Sequence, residues 1–170
     1  MQRFHYTHDT ALVIASETQD VVPHHKPDGL WYSCGDEWKM WMMYEMRDWW
    51  NSKKYRYKLH INRNKILHLN TPLKLHEFTI AYGIQQYQHM PHYVMINWEQ
   101  VAEHWGGIEI SPVISRISQA TMTWYSTWDI ASGCIWDASI VSIGKMQKIA
   151  HKREWLVHNL RHERRYPGNG

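Results

Sequence analysis

The sequence predicts a single α+β domain, and three observations carry that prediction. The chain has 170 residues, about one domain's length, since domains mostly run ~100–200 residues. Residues 36–51 (DEWKMWMMYEMRDWWN) bring apolar side chains round at helical spacing, whereas residues 55–61 (YRYKLHI) alternate with period two. Several further strand-prone runs are short and separated by turns, and no repeat, low-complexity tract or Ser/Gly linker divides the chain. Apolar residues (44%) outnumber charged ones (21%) throughout, which excludes a disordered chain or a disulfide-stapled miniprotein.

Taken in order, residues 3–7 (RFHYT) are β-prone, and residues 10–16 (TALVIAS) suit a brief helix. Two prolines and a Pro-Asp-Gly turn make residues 21–29 (VVPHHKPDG) a loop that delivers residues 30–34 (LWYSC) as a strand. The helix over 36–51 starts on Asp36 and Glu37, where the dipole favours negative charge, and its Trp38, Trp41, Trp49 and Trp50 read as the packing face. Residues 55–61 and 65–69 (KILHL) predict two strands joined by a turn. Residues 73–82 and 98–105 predict short helices, the second with Asn97 as N-cap. Residues 108–110, 121–124 and 134–141 are strand-like, and from Gly144 onward the chain predicts a basic helix.

The composition is distinctive in its apolar residues: 11 Trp, 10 Tyr and 9 Met against 2 Phe, beside 13 His. Flat rings with a polar atom suit boundary positions of any small domain, and the same rings stack on bases, nicotinamide and sugars. Net charge is +3, concentrated at the C-terminal end: residues 144–170 hold seven basic and two acidic side chains, and the preceding residues sum to −2. Such an end meets nucleic acid, an anionic partner or an acidic inhibitory protein, or else forms a solvated helix face. Two cysteines a hundred residues apart, a polar start (MQRFHYTHDT) and no run near the ~18 apolar residues of a membrane span predict a cytoplasmic protein with reduced thiols and no membrane partner.

Most standard chemical motifs are missing. His24-His25 and the His89/His92 pair lack the Cys or carboxylate partners of structural zinc, so no metal is expected. No HExxH, GxSxG, GxxxxGK[ST] or GxGxxG occurs, which excludes P-loop hydrolysis. Arg153 and His158 resemble the Arg-x4-6-His signature of a helical ribonuclease family, but the β-rich middle of the chain does not suit an all-helical nuclease.

A fuller resemblance begins at the first strand. RFHYT, the Pro/Gly loop, KPDGLWYS and the aromatic helix DEWKMWMMY follow one another as in the first half of the ADP-ribosyltransferase superfamily, shared by poly(ADP-ribose) polymerases, diphtheria-type toxins and rifampin-modifying transferases. The resemblance implies a split mixed β-sandwich over residues 1–143, with the basic C-terminal helix, 144–170, packed on or extending from it. His5 and Thr7, with Tyr6 between them, match the strand that holds the ribose and carboxamide of NAD; Gly29, Leu30, Trp31, Tyr32 and Ser33 match the strand that presents a ring to the nicotinamide. KILHLNT and WDIASGCIWDASI are similar to the family's middle connector and last core strand. There Asp137 takes the trailing Asp position and Ser132 stands where the family places its catalytic Glu.

The resemblance therefore implies a mono-ADP-ribosyltransferase, possessing the character of a toxin or defence effector, with NAD as substrate. His5 would hold the ribose, Tyr32 or Trp31 would stack the nicotinamide, and Glu109 or Asp129 would supply the missing acid. The acceptor would be nucleic acid first and protein second, met by Lys152, Arg153, Arg161, Arg164 and Arg165. The competing reading is a non-enzymatic module that stacks bases on its aromatic surface and binds backbone with the same C-terminal residues.

Overall fold

Strand-prone sequence becomes strand at both expected N-terminal places in the computed structural model, which describes residues 1–90, 93–114 and 122–151. β1 (Arg3–Thr7) and β2 (Leu30–Cys34) pair antiparallel. They lie at the centre of a seven-stranded mixed sheet with β3 (Tyr55–Ile61), β4 (Ile66–His68), β7 (Gly107–Ile110), β8 (Ser132–Ile135) and β9 (Val141–Lys148). The order is β4-β7-β8-β2-β1-β3-β9, antiparallel except for the β4/β7 pair. A separate hairpin of β5 (Gly83–Gln85) and β6 (Val94–Ile96) is joined by one bridge to His24. The architecture is a single α+β domain.

The aromatic helix is interrupted. α1 (Glu37–Tyr44) ends at Glu45, and α2 (Arg47–Ser52) restarts after Met46, whose backbone is non-helical. The break lets Trp50 turn inward against Tyr6, ring centroids 6.4 Å apart. Adjacent helical positions point ~100° apart, so Trp49 stays outside, 48% exposed, while Trp50 is 4% exposed.

α3 (Pro72–Tyr82) starts where expected, with Thr71 accepting from the Lys74 amide, and α4 (Trp98–Ala102) is capped by Asn97. These two helices enclose the largest apolar cluster, in which Phe78, Trp98 and Trp124 meet Ile108 and Ile110 of β7. Each buried indole removes about 200 Å² from water, roughly 5 kcal/mol before entropy is charged. A second cluster gathers Tyr32, Cys34, Leu59 and Ile135; a third joins Phe4 and Tyr6 to Met42, Met43 and Trp50. Both cysteines are free and buried, and no described helix is long and apolar enough to cross a membrane.

Five local expectations are corrected. Residues 10–16 are not helical: seven residues containing Thr, Val and Ile are too few to sustain an isolated helix, and the segment ends on the sheet rim, Ser16 Oγ accepting from the Ala138 amide. β3 and β4 do not form a hairpin; β3 takes β1 and β9 as neighbours while β4 lies at the far edge. Residues 123–127 form a 3-10 turn rather than a strand, and β8 ends at Ile135. The basic helix does not begin at Gly144, because Val141–Lys148 is β9, registered on β3 from Ile61↔Val141 to Tyr55↔Lys148. Its β-branched Val141 and Ile143 favour a strand, and the boundary drawn at 143 falls inside it. Residues 152–170 lie outside the described residues.

Candidate functional site

Strand alternation sends the two halves of the Trp31-Tyr32 pair to opposite faces of the sheet. Trp31 lines a 410 Å³ cleft between the sheet and α1/α2; Tyr32 is 0% exposed among the apolar residues of the other face.

The cleft opens where the β1–β2 ladder stops. That ladder has two residue pairs, Arg3↔Cys34 and Phe4↔Ser33, and just beyond them His5 enters the gap. Its Nδ1 lies 2.7 Å from the Trp31 carbonyl oxygen. A carbonyl only accepts, so Nδ1 carries the proton and Nε2 is left as an acceptor. Burial lowers the His5 pKa, with Lys53 adding to the effect and the Trp31 carbonyl and Asp9 opposing it. The ring is therefore neutral near pH 7.

Five indoles line the cleft: Trp31 and Trp128 from the sheet side, Trp38 and Trp41 from α1, Trp49 from α2. Trp31 and Trp128 are 5.0 Å apart and tilted; Trp41 and Trp49 meet edge to face at 6.1 Å. Two lysines lie over indole faces, Lys26 over Trp31 (5.2 Å) and Lys53 over Trp49 (4.8 Å). Asp129 is the carboxylate of the lining. Burial lowers the Lys26 pKa and nearby Asp129 raises it, with a net lowering. Ser132 also lines the cleft. Its hydroxyl accepts from Trp38 Nε1 (2.8 Å) and donates to the Ile130 carbonyl (2.9 Å).

On the opposite face, Glu109 is 3% exposed and receives two hydrogen bonds from Arg3, Nε at 2.5 Å and Nη2 at 2.9 Å, and a third from the Tyr32 hydroxyl at 3.1 Å. Reaching Glu109 from β2 means crossing β8. Gly133 permits it, since a Cβ there would overlap the Tyr32 ring. Burial pushes the Glu109 carboxyl up, but hydrogen bonds and charge from Arg3, with Tyr32 and His68, outweigh it and hold it below its ordinary value. Burial beside Glu109 drives the Tyr32 phenol well up and the Cys34 thiol up to about 12.

Of the residues singled out from sequence, His5, Tyr6, Trp31 and Asp129 line one cleft. Tyr32 and Glu109 are corrected: their face is the buried one, and their polar atoms bind each other and Arg3. Ser33 fastens α1 to β2, its Oγ accepting from the Trp38 amide and donating to the Gly35 carbonyl. Thr7 is buried and exchanges hydrogen bonds with Asp9. Gly29 (φ +142°) is held against the Ile135 carbonyl, where a side chain would clash. Lys152, Arg153, His158, Arg161, Arg164 and Arg165 lie outside the described residues. The sequence did not single out Lys26, Lys53 or Trp128 as cleft residues; of the tryptophans it assigned to packing, Trp38 and Trp41 do pack against the third apolar cluster while also lining the cleft, whereas Trp49 stays half exposed. The adjacent Trp49-Trp50 pair was the available signal, because a helix cannot bury both on one face.

Among the described residues no group of three or more His, Cys, Asp or Glu is placed to hold a metal ion. Compared with protein-family models, curated proteins and solved structures, the chain matches none.

Proposed function

We propose that the protein is a mono-ADP-ribosyltransferase, on a split mixed β-sandwich of that superfamily, which cleaves NAD at the nicotinamide bond and passes ADP-ribose to a macromolecule. The observation that carries this reading is the notch between β1 and β2. There the two stretches that resemble the family's NAD motifs meet in one hydrogen bond, His5 to Trp31, at the edge of a cleft walled by tryptophan.

The chemistry asks for a flat clamp and a way to stabilise positive charge. Nicotinamide leaves when its ring is held while the ribose carbon takes on oxocarbenium character. Trp31 is the stacking surface in this cleft, in place of Tyr32. Neutral His5 offers Nε2 to a ribose hydroxyl, and the Asp129 carboxylate faces the developing charge in place of Glu109. Ser132, already hydrogen-bonded twice, contributes a fixed wall instead of an acid.

The test is nicotinamide release from NAD, followed by chromatography, and NAD binding by calorimetry. The full chain is expected to bind and cleave NAD. Trp31→Ala and Asp129→Asn should each lower cleavage at least ~10-fold, the scale of one lost transition-state contact, whereas Tyr32→Phe, which keeps the buried ring, retains most of it. Folded protein that neither binds nor cleaves NAD overturns the proposal. If such protein still binds oligonucleotides, the non-enzymatic module takes its place, favoured by the half-exposed Trp49 beside Lys53.

A further inference from the structure

Resting on that reading, we infer that the acceptor is an unpaired base of single-stranded nucleic acid, stacked on Trp41 and Trp49 at the outer end of the cleft with its backbone phosphate against Lys53.

One flat leaving group needs one stacking platform, and the cleft has two. Trp31 and Trp128 form the first, on the sheet side. Trp41 and Trp49 form the second, on α1 and α2, and among the described residues no ring of one pair contacts a ring of the other. Of the second pair, Trp41 also packs against the third apolar cluster, but Trp49 does not: Trp50 already anchors α2 in the core, whereas Trp49 leaves an indole half in water, at 48% exposure. Any polar residue would serve there as well. Base–aromatic stacking is worth ~1–3 kcal/mol per base and accepts any base, because each has a π-face.

Charge selects nucleic acid over peptide. The cleft carries Lys26 and Lys53 against Asp129, with His5 neutral, so its lining is net positive. Residues 47–54 (RDWWNSKK) flank Trp49 in the sequence with three cations and one carboxylate. Lys53 Nζ covers the Trp49 ring, 4.8 Å from the centroid, so a base that stacks on this face displaces the ammonium to the ring's rim, where its flexible stem lets it meet the phosphate beside the base. In the transfer, a base nitrogen attacks the ribose carbon, whose bond to nicotinamide breaks and leaves its electron pair on nicotinamide. The proton lost by the base goes to the Asp129 carboxylate and then to water.

The experiment uses the full chain, a short fluorescein-labelled single-stranded DNA of mixed sequence, its RNA counterpart and the corresponding duplex, read by anisotropy and, with NAD added, by mass spectrometry. A single strand is expected to bind more tightly than duplex and to gain an ADP-ribosyl group. Trp49→Ala should weaken oligonucleotide binding roughly 5–100-fold and NAD binding far less, with Trp49→Phe restoring most of the loss; circular dichroism checks that both variants fold. Lys53→Ala should reduce the slope of log affinity against log salt by about one. If NAD is cleaved but the oligonucleotides are neither bound nor modified while a protein in lysate is labelled, the base acceptor is overturned and the transferase reading stands. If NAD is neither bound nor cleaved, both fall.

Discussion

β2 divides its residues between two regions that differ in almost every physical respect. On one face Trp31 opens onto a cleft whose lysines, carboxylate and neutral imidazole are in reach of a ligand. On the other, Tyr32 joins Arg3 and Glu109 in a buried network where each strong group is engaged by another, with the half-exposed Arg63 and the partly buried His68 at its margin, 3.7 and 3.5 Å from Glu109. The contrast shows that titratable residues close in space do not by themselves make a site. The Arg3–Glu109–Tyr32 cluster has the more chemistry-laden composition, yet it is the closed one, and it ties β1, β2 and β7 into the frame that holds the notch open.

Mutation can break this contrast, most strongly at Glu109. Glu109→Ala leaves the Arg3 guanidinium buried and unpaired and is expected to cost about 3–5 kcal/mol, whereas an Arg3→Met/Glu109→Leu double variant recovers most of that; urea denaturation measures both. A double variant as unstable as the single would show that the pair does more than neutralise itself. A smaller loss, about 1–3 kcal/mol, is expected for Gly133→Ala, which forces the Tyr32 ring off β8. In a Tyr32→Ala background the same change should cost less, a non-additivity that a thermodynamic cycle reads directly.

The smallest effect follows pH and separates the two faces in order. The buried His5 ring binds its proton more weakly than in the unfolded chain, so its contribution is complete above the unfolded value of 6.5 and is lost as pH falls below it. The folded Glu109 carboxylate also binds its proton more weakly, so its contribution is complete above 4.5 and is lost as pH falls through its lower folded value. Stability is expected to decline in two steps on acidification, the first reduced in His5→Asn, with His25 and His68 supplying the rest, and the second reduced in Glu109→Gln. A single step common to wild type and both variants would contradict this.

Local signals made much of the fold legible. Period-two alternation located β3, short β-prone runs located β1 and β2, and Asn97 announced α4. What sequence left open was pairing over distance. Nothing in residues 65–69 says that their partner is residues 107–110, and a basic stretch after Gly144 suits a helix as well as the edge strand it begins with. The candidate site was half legible. His5 and Trp31 were legible as motif residues, and alternation alone says that Trp31 and Tyr32 cannot both face one ligand. Trp128 and Lys53 were not legible, because each reaches the cleft from a segment remote in sequence from the motif; Lys26 opens the KPDGLWYS stretch, but nothing local says that it folds back over Trp31.

β8 has a further consequence, for the order of folding. It is the strand that lies between β2 and β7, and residues 132–135 supply it to β2, about a hundred residues earlier in the chain, and to β7, about twenty-five residues earlier. Contacts of that span slow folding to roughly milliseconds or longer. Until β8 has been synthesised and inserted, β2 lacks its neighbour on the side away from β1, and Asp129, three residues ahead of β8, has no cleft to face. A nascent chain therefore carries β1 and β2 well before the cleft can form, and the cleft is assembled only once residues 129–135 have emerged.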